Sequence, residues 1–340
     1  MPDQQPVRNA PDDLAAPEAE GATGASPIPL LVITGPTAAG KTSLAVEVAR
    51  QVPAEIISAD SMAVYRGMDI GTAKPTPAQR RAVRFHLLDL VEPDEPYTVA
   101  DWLRDAEAAI EDITGRGRLP ILCGGTGLYL RALLHGYSLP PTDFSALQAV
   151  RGQLEARLRA EGLAALTAEL LSRDPKAAEL VDLANPRRVL RALETVLLLG
   201  RPLAEVRRAD PDAAARWKAE VYVVTCPRPV LYRRIDRRVD EMLAAGWLEE
   251  TRRLHPRLAR ATTALQAIGY RRLLAHLAGE ITLDEARELI KRDTRHYAKR
   301  QLTWWRREQT ARWLPWANGP DFVAALLVLV RAARRLLPHT

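Results

Sequence analysis

The sequence predicts an α/β fold: a parallel sheet covered by helices on both faces, carrying an inserted helical domain. Short apolar runs at 29–34, 54–58, 119–123 and 220–226 alternate with amphipathic helical stretches. Such alternation describes buried parallel strands joined by crossover helices. Between the last two runs, residues 140–215 are rich in Leu, Ala, Arg and Glu, all helix formers. A glycine-containing turn follows the first run and opens a helix, as at a phosphate-binding loop.

In chain order, residues 1–27 hold many Pro, Ala, Gly and acidic residues and few large apolar ones. Such a segment cannot offset its ordering entropy, so a disordered tail is predicted. PLLVIT (29–34) is the first strand, and TSLAVEVARQ (42–51) a helix with Leu44, Val48 and Ala49 on its inner face. AEIIS (54–58) and HLLDLV (86–91) are the second and third strands. Residues 101–117 form an amphipathic helix closed by Gly115 and Gly117. LPILC (119–123) and EVYVVTC (220–226) complete the strands. The rest is helical through 228–255, 261–278, 283–308 and 320–337. The predicted organisation is a tail (1–27), an α/β core (28–139 with 216–318), an inserted helical domain (140–215) and a C-terminal helix (319–340).

The chain has 340 residues, 47% hydrophobic and 26% charged, as expected of a globular protein of two units or one domain with an insertion. Net charge is +6. The tail is acidic, with Asp3, Asp12, Asp13, Glu18 and Glu20 against Arg8, so the body is strongly basic. A basic body suits an anionic partner such as nucleic acid, or serves solubility alone. Cys123 and Cys226 are far apart and fit no metal-ligand spacing, which argues against zinc and for a reducing compartment. No apolar run reaches membrane-span length, and the N-terminus does not resemble a secretory signal. A cytoplasmic monomer is expected.

Gly35-Pro36-Thr37-Ala38-Ala39-Gly40-Lys41-Thr42 matches G-x-x-x-x-G-K-[ST] between a strand and a helix, the context a P-loop requires. The glycines let the backbone curl so that amide N–H groups converge on phosphate oxygens. Lys41 adds a point charge, and the Thr42 hydroxyl can coordinate Mg²⁺. The core is thus expected to be P-loop NTPase-like. Most such loops hold ATP or GTP, but the base-reading N-K-x-D sequence and an apolar run ending in Asp-Glu are absent.

Asp60 follows the second strand, on the rim where ligands bind in open α/β sheets. A carboxylate there can hold metal, accept a proton, or cap a turn. From here the motifs become specific: GPTAAGKT (35–42), DSMAVYRGMDIGTAKP (60–75), GGTGLYLRALLHG (124–136), NPRRVLRALE (185–194), IGYRR (268–272) and YAKRQLTWWR (297–306). Together, in this order and over about residues 29–310, they resemble the bacterial tRNA dimethylallyltransferase (tRNA isopentenyltransferase) family.

The resemblance implies transfer of a dimethylallyl group from dimethylallyl diphosphate to N6 of the adenosine 3′ to the tRNA anticodon, with Mg²⁺ assisting and diphosphate leaving. It implies Asp60 as the base and places Thr126 at the reacting centre, orienting diphosphate or adenine. The bland reading of Thr126 is a turn residue. Residues 35–42 and Arg238 would hold the diphosphate. Asp60, Ser61, Met62 and Ala63, with Arg151, would meet the anticodon stem-loop. So would Arg187, Arg188, Val189, Leu190 and Arg191, and Gln266, Ala267, Ile268, Gly269, Tyr270 and Arg271.

On the helix at 283–308, Arg292, Arg295, His296, Lys299 and Arg300 share a face that suits phosphates, or merely water. Ile290, Thr294, Tyr297, Gln301 and Trp304 share the face expected to pack. Arg234 and Arg238 lie on one face of another helix. Two rival functions are a small-molecule kinase using ATP and a non-catalytic RNA-binding P-loop protein.

Overall fold

The structure is a computed structural model that describes residues 26–137, 144–206 and 211–337. The predicted tail falls outside these residues up to position 25, as do positions 140–143 and 207–210 of the predicted insertion.

β1 (Ile28–Thr34) runs through the glycine turn into α1 (Lys41–Gln51). There follow β2 (Ala54–Ser58), α2 (Pro77–Ala82), β3 (Phe85–His86), α3 (Val99–Gly115), β4 (Leu119–Cys123) and α4 (Gly127–Leu134). Next comes an all-helical stretch: α5 (Phe144–Arg173), α6 (Ala177–Leu180), α7 (Pro186–Leu199), α8 (Leu203–Val206) and α9 (Pro211–Ala215). β5 (Trp217–Thr225) returns to the sheet. It is followed by α10 (Arg228–Ala244), α11 (Trp247–Leu258), α12 (Tyr270–Leu277), α13 (Leu283–Trp305), β6 (Arg312–Pro315) and α14 (Gly319–Leu336).

The sheet order is β3-β2-β4-β1-β5-β6, with every pair parallel. Successive residues of a strand point to opposite faces, so β1 feeds two cores. Leu30 and Val32 pack with α3, α4 and α11–α13, whereas Leu31 and Ile33 pack with α1 and α14. Each such buried aliphatic side chain contributes about 1.5–3 kcal/mol. A third cluster, with Leu154, Leu166, Leu170, Val189, Leu193 and Val196, joins α5 to α7 and belongs to the helical stretch alone. Asn185 caps α7, accepting from the amides of Arg187 and Arg188, with Pro186 in the first turn; this accounts for the Asn-Pro pair.

Register decides where the site falls. Ile33 and Ser58 both pair with Cys123, and Thr34 with Val223. The carboxyl ends of the central strands therefore meet on one rim.

Several elements differ from expectation. The strand expected at 86–91 ends at His86, because Leu87 and Asp89 take positive φ and the Asp89 carboxylate turns to Lys74 and Arg80. The helix expected over 228–255 breaks at Gly246, φ 98°. That over 261–278 shrinks to a 3₁₀ turn at Ala264–Gln266 and to α12, since Gly269 has φ 99° and Trp247 fills the space its side chain would need. β6 was not anticipated. α14 docks through Ala325, Leu329, Ala332, Ala333 and Leu336.

Candidate active site

The P-loop is held from three sides. At Gly35, φ 134°, a Cβ would lie 2.1 Å from the Val224 carbonyl oxygen; at Gly40, φ 87°, one would lie 2.4 Å from the Trp316 ring. Only glycine fits either position. The Trp316 indole donates to the Ala39 carbonyl at 2.7 Å, and the Arg234 guanidinium stacks on that ring at 3.9 Å. The Thr37 amide donates to Gln301 at 2.8 Å, and Lys41 Nζ to the Pro36 carbonyl at 2.8 Å. α1 begins at Lys41 with no side-chain cap, so its first amides are left for an anion. Burial is the largest influence on Lys41 and brings its pKa down to about 8; Cys123 and Asp60 oppose this and Arg238 adds to it. Burial likewise lowers the pKa of Arg238, against the pull of Asp60 and Glu241.

Asp60 lies two residues past the end of β2, and its carboxylate accepts from the Met62 amide at 2.9 Å. The turn-capping reading is therefore realised. The same side chain also lines two cavities. One, about 100 Å³, includes Thr37, Lys41, Thr42, Asp60, Cys123 and Arg238. The other, about 310 Å³, opens from Asp60 and Arg238 onto Met62, Ile235, Val239, Met242, Trp247 and Ile268. A charged end thus gives way to an apolar one. A third space of about 1160 Å³ extends outward from Gly40, Lys41 and Thr42 past Arg66, Arg80, Arg234 and Arg237.

Thr126 lies beside these cavities. Its hydroxyl accepts from the Ser61 amide at 3.0 Å, and its own amide donates to the Ala59 carbonyl at 3.1 Å. It therefore ties the Asp60 loop to the loop after β4. Tyr297 lines both of the smaller cavities, and burial raises its pKa.

The 69–75 segment is clamped from behind. Buried Glu250 accepts from the amides of Asp69, Ile70 and Gly71 at 2.8–3.0 Å and from the Tyr270 hydroxyl at 2.7 Å. Lys74, also buried, reaches the Tyr65 carbonyl at 2.6 Å and Asp69 at 2.8 Å.

Not every expected residue is gathered here. Thr37, Ala38, Gly40, Lys41, Thr42, Asp60, Ser61, Met62, Arg238, Gln266, Ala267 and Ile268 line the cavities; Ala63 also lines the smallest, whereas Ala39 is fully buried and packs in the core instead. Gly35 and Pro36 shape the loop, Gly269 packs on Trp247, and Arg271 is exposed. Tyr270 and Val189 are both 0% exposed, so their side chains belong to cores and present no surface to a partner. Arg187, Arg188 and Arg191 are exposed on α7, with Leu190 half-buried. Arg151 grips Glu194 with two hydrogen bonds, at 2.7 and 2.9 Å. On α13, Arg295 is taken by Asp236. Trp304, expected to pack, is 38% exposed beside Arg131, while neighbouring Trp305 is buried. Sequence reasoning gave no role to Gln301 beyond packing and none to Trp316, Glu250 or Trp247. A glutamine on the inward face of α13 was the one available signal.

Comparison with known proteins gives the family. The model of the family described as IPP transferase matches residues 63–308, and that of isopentenyl transferase matches residues 28–90. A tRNA dimethylallyltransferase of Pelotomaculum thermopropionicum is 44% identical over 311 residues, covering 91% of this chain and 98% of that relative. One from Trichlorobacter lovleyi is 47% identical over 291 residues, covering 85% and 94%. The crystal structure of a tRNA isopentenylpyrophosphate transferase from Bacillus halodurans superposes with a TM-score of 0.65 at 39% identity, covering 90% of this chain and 97% of that one. A eukaryotic dimethylallyltransferase acting on tRNA superposes with a TM-score of 0.70 at 26% identity, covering 85% and 74%.

Proposed function

The chain belongs to the IPP transferase family, and from that premise we propose that it transfers a dimethylallyl group from dimethylallyl diphosphate to a tRNA base. The acceptor in this reading is N6 of the adenosine 3′-adjacent to the anticodon. The observation that carries it is the continuity of the P-loop, Asp60 and Arg238 with an apolar pocket. A nucleotide kinase has no need of that pocket; a prenyl tail does.

The diphosphate lies in the curl of residues 35–42, between Lys41 and Arg238. As the allylic C–O bond breaks, negative charge grows on the bridging oxygen. Fixed amides, Lys41 and Arg238 face that charge without having to reorganise. The prenyl tail extends towards Met62, Ile235, Val239 and Met242. Asp60 takes the proton from the incoming amine, whose lone pair is delocalised and weak, as the N–C bond forms. Thr126 holds the Asp60 loop through Ser61.

The donor set suits Mg²⁺. The described residues contain no cluster of three His, Cys, Asp or Glu that could hold a metal by themselves. Thr42 supplies a hard oxygen to the cavity that takes the diphosphate, and Mg²⁺ is commonly held by few protein groups plus substrate phosphates. Bound there, it would neutralise phosphate charge.

A base stacked in an anticodon loop must be extruded to reach a buried donor. We assign residues 140–215 as the inserted domain that grips the stem-loop, with Arg187, Arg188 and Arg191 on its exposed face. Residues 28–139 and 216–318 belong to the catalytic core in this reading, with α14 (Gly319–Leu336) as a supporting C-terminal helix. In this reading the protein acts as a cytoplasmic monomer. No helix among the described residues is long and apolar enough to cross a membrane. The test is incubation of purified protein with Mg²⁺, unmodified tRNA and labelled dimethylallyl diphosphate. Label in tRNA supports the reading; phosphotransfer from ATP with no label in tRNA overturns it.

A further inference from the structure

We propose that Gln301 is a positioning residue that sets the spacing between the diphosphate cradle and the acceptor side of the site. The proposal rests on the prenyl-transfer reading above. Gln301 lies on the inward face of α13 and is 6% exposed. Its amide oxygen accepts from the Thr37 N–H at 2.8 Å, and its amide nitrogen donates to the Gly125 carbonyl at 2.9 Å. One side chain thus bridges the P-loop and the loop that carries Thr126.

The chemistry of the two partners fixes the orientation of the amide. A backbone N–H only donates and a carbonyl only accepts, so the oxygen must face Thr37 and the nitrogen Gly125. Glutamate offers two acceptors at this position, and methionine neither a donor nor a comparable acceptor. The close approach is also built in: a Cβ on Gly125 would lie 2.2 Å from the Gln301 nitrogen. Ala298 and Trp305, on the same helix, are buried and apolar, so packing alone does not call for an amide between them.

The bridge has two consequences. It removes the Thr37 amide from the set that can face phosphate, leaving the anion to the other loop amides and those at the start of α1. It also ties the loops at their tips. Their other link lies at the strand ends, where the Thr34 hydroxyl donates to the Gly124 carbonyl at 2.8 Å and the Gly124 amide to the Ile33 carbonyl at 3.3 Å. One turn earlier on α13, Tyr297 lines the cavities on both sides of Asp60. The helix therefore references both halves of the site to one rigid element.

The test compares Gln301→Glu and the near-isosteric Gln301→Met with wild type from pH 6 to pH 9. Donor and tRNA are varied separately, inorganic diphosphate affinity is measured directly, and melting temperature monitors the fold. An unmet buried hydrogen-bond partner should lower kcat/KM for the donor about 10–100-fold in both variants at pH 8, with KM for tRNA within about threefold of wild type. In Gln301→Glu the loss should shrink towards pH 6, because a protonated carboxyl can again donate to Gly125. In Gln301→Met it should not. Donor constants like those of wild type, or an equal loss at every pH in both variants, overturn the proposal. If wild type itself transfers no dimethylallyl group, the functional reading fails, and the diphosphate affinities alone decide Gln301: weakened affinity in both variants supports it and unchanged affinity overturns it.

Discussion

The Tyr270 hydroxyl donates to the Glu250 carboxylate at 2.7 Å, and that carboxylate also receives the amides of Asp69, Ile70 and Gly71. A tyrosine expected to meet RNA instead orients the group that shapes a wall of the cavity. Glu250→Ala would leave three amides and a hydroxyl unmet in a buried place. We expect a loss of about 3 kcal/mol in urea unfolding, and about 1 kcal/mol for Tyr270→Phe. Equal costs for the two variants would contradict this arrangement.

Trp316 closes the P-loop from the C-terminal side. Trp316→Phe keeps a ring over Gly40 but loses the hydrogen bond to Ala39. The expected cost is about 1 kcal/mol in stability, with a raised KM for dimethylallyl diphosphate and an unchanged KM for tRNA. Steady-state kinetics with each substrate varied in turn will check this.

Lys41 gives the reaction a pH dependence of definite sign. Its charged form binds phosphate, and burial lowers its pKa to about 8. Donor kcat/KM should therefore fall as pH rises through that value. In the kcat profile the limb should lie higher, because bound diphosphate favours the charged lysine. Lys41→Arg, which does not deprotonate in this range, should abolish the limb even at reduced activity. For folding the sign reverses: between about 8 and the ordinary lysine value only the unfolded chain holds the proton, so the stability of the free protein rises with pH there.

Asp60 and Thr126 should separate in size of effect. Asp60→Ala removes the base and should lower kcat by about 10²–10⁴ while tRNA binding is largely kept. Thr126→Val loses the hydroxyl that accepts from the Ser61 amide and donates to the Ser61 hydroxyl, and should cost about tenfold. Rapid-quench single turnovers at saturating substrates measure both; a larger effect at Thr126 would reverse the assigned roles.

What the sequence made legible was local. The P-loop, β2, β4 and α1 are contiguous runs whose pattern and turn chemistry agree, and their bounds lie within a residue of expectation. Asp60 stood out because it lies just past a strand end within a family motif. The strand expected at 86–91 failed because an apolar run does not reveal that Leu87 and Asp89 take positive φ. The supports of the site were hidden by distance along the chain. Gln301 is 264 residues from Thr37, Trp316 is 277 from Ala39, and Glu250 is about 180 from the amides it holds. A buried polar side chain is chosen for partners that only folding brings near. Tyr270 and Val189 show the converse: members of a motif expected to meet a partner can serve the core instead.

The central claim is that the P-loop cradles a departing diphosphate beside Asp60. A crystal structure with tRNA and an unreactive thio-analogue of dimethylallyl diphosphate tests it most directly. The account predicts both phosphates within the curl of residues 35–42, touching Lys41 and Arg238, with the adenine amine within hydrogen-bond reach of Asp60. Phosphates bound outside that curl, or an adenine amine remote from Asp60, would contradict it.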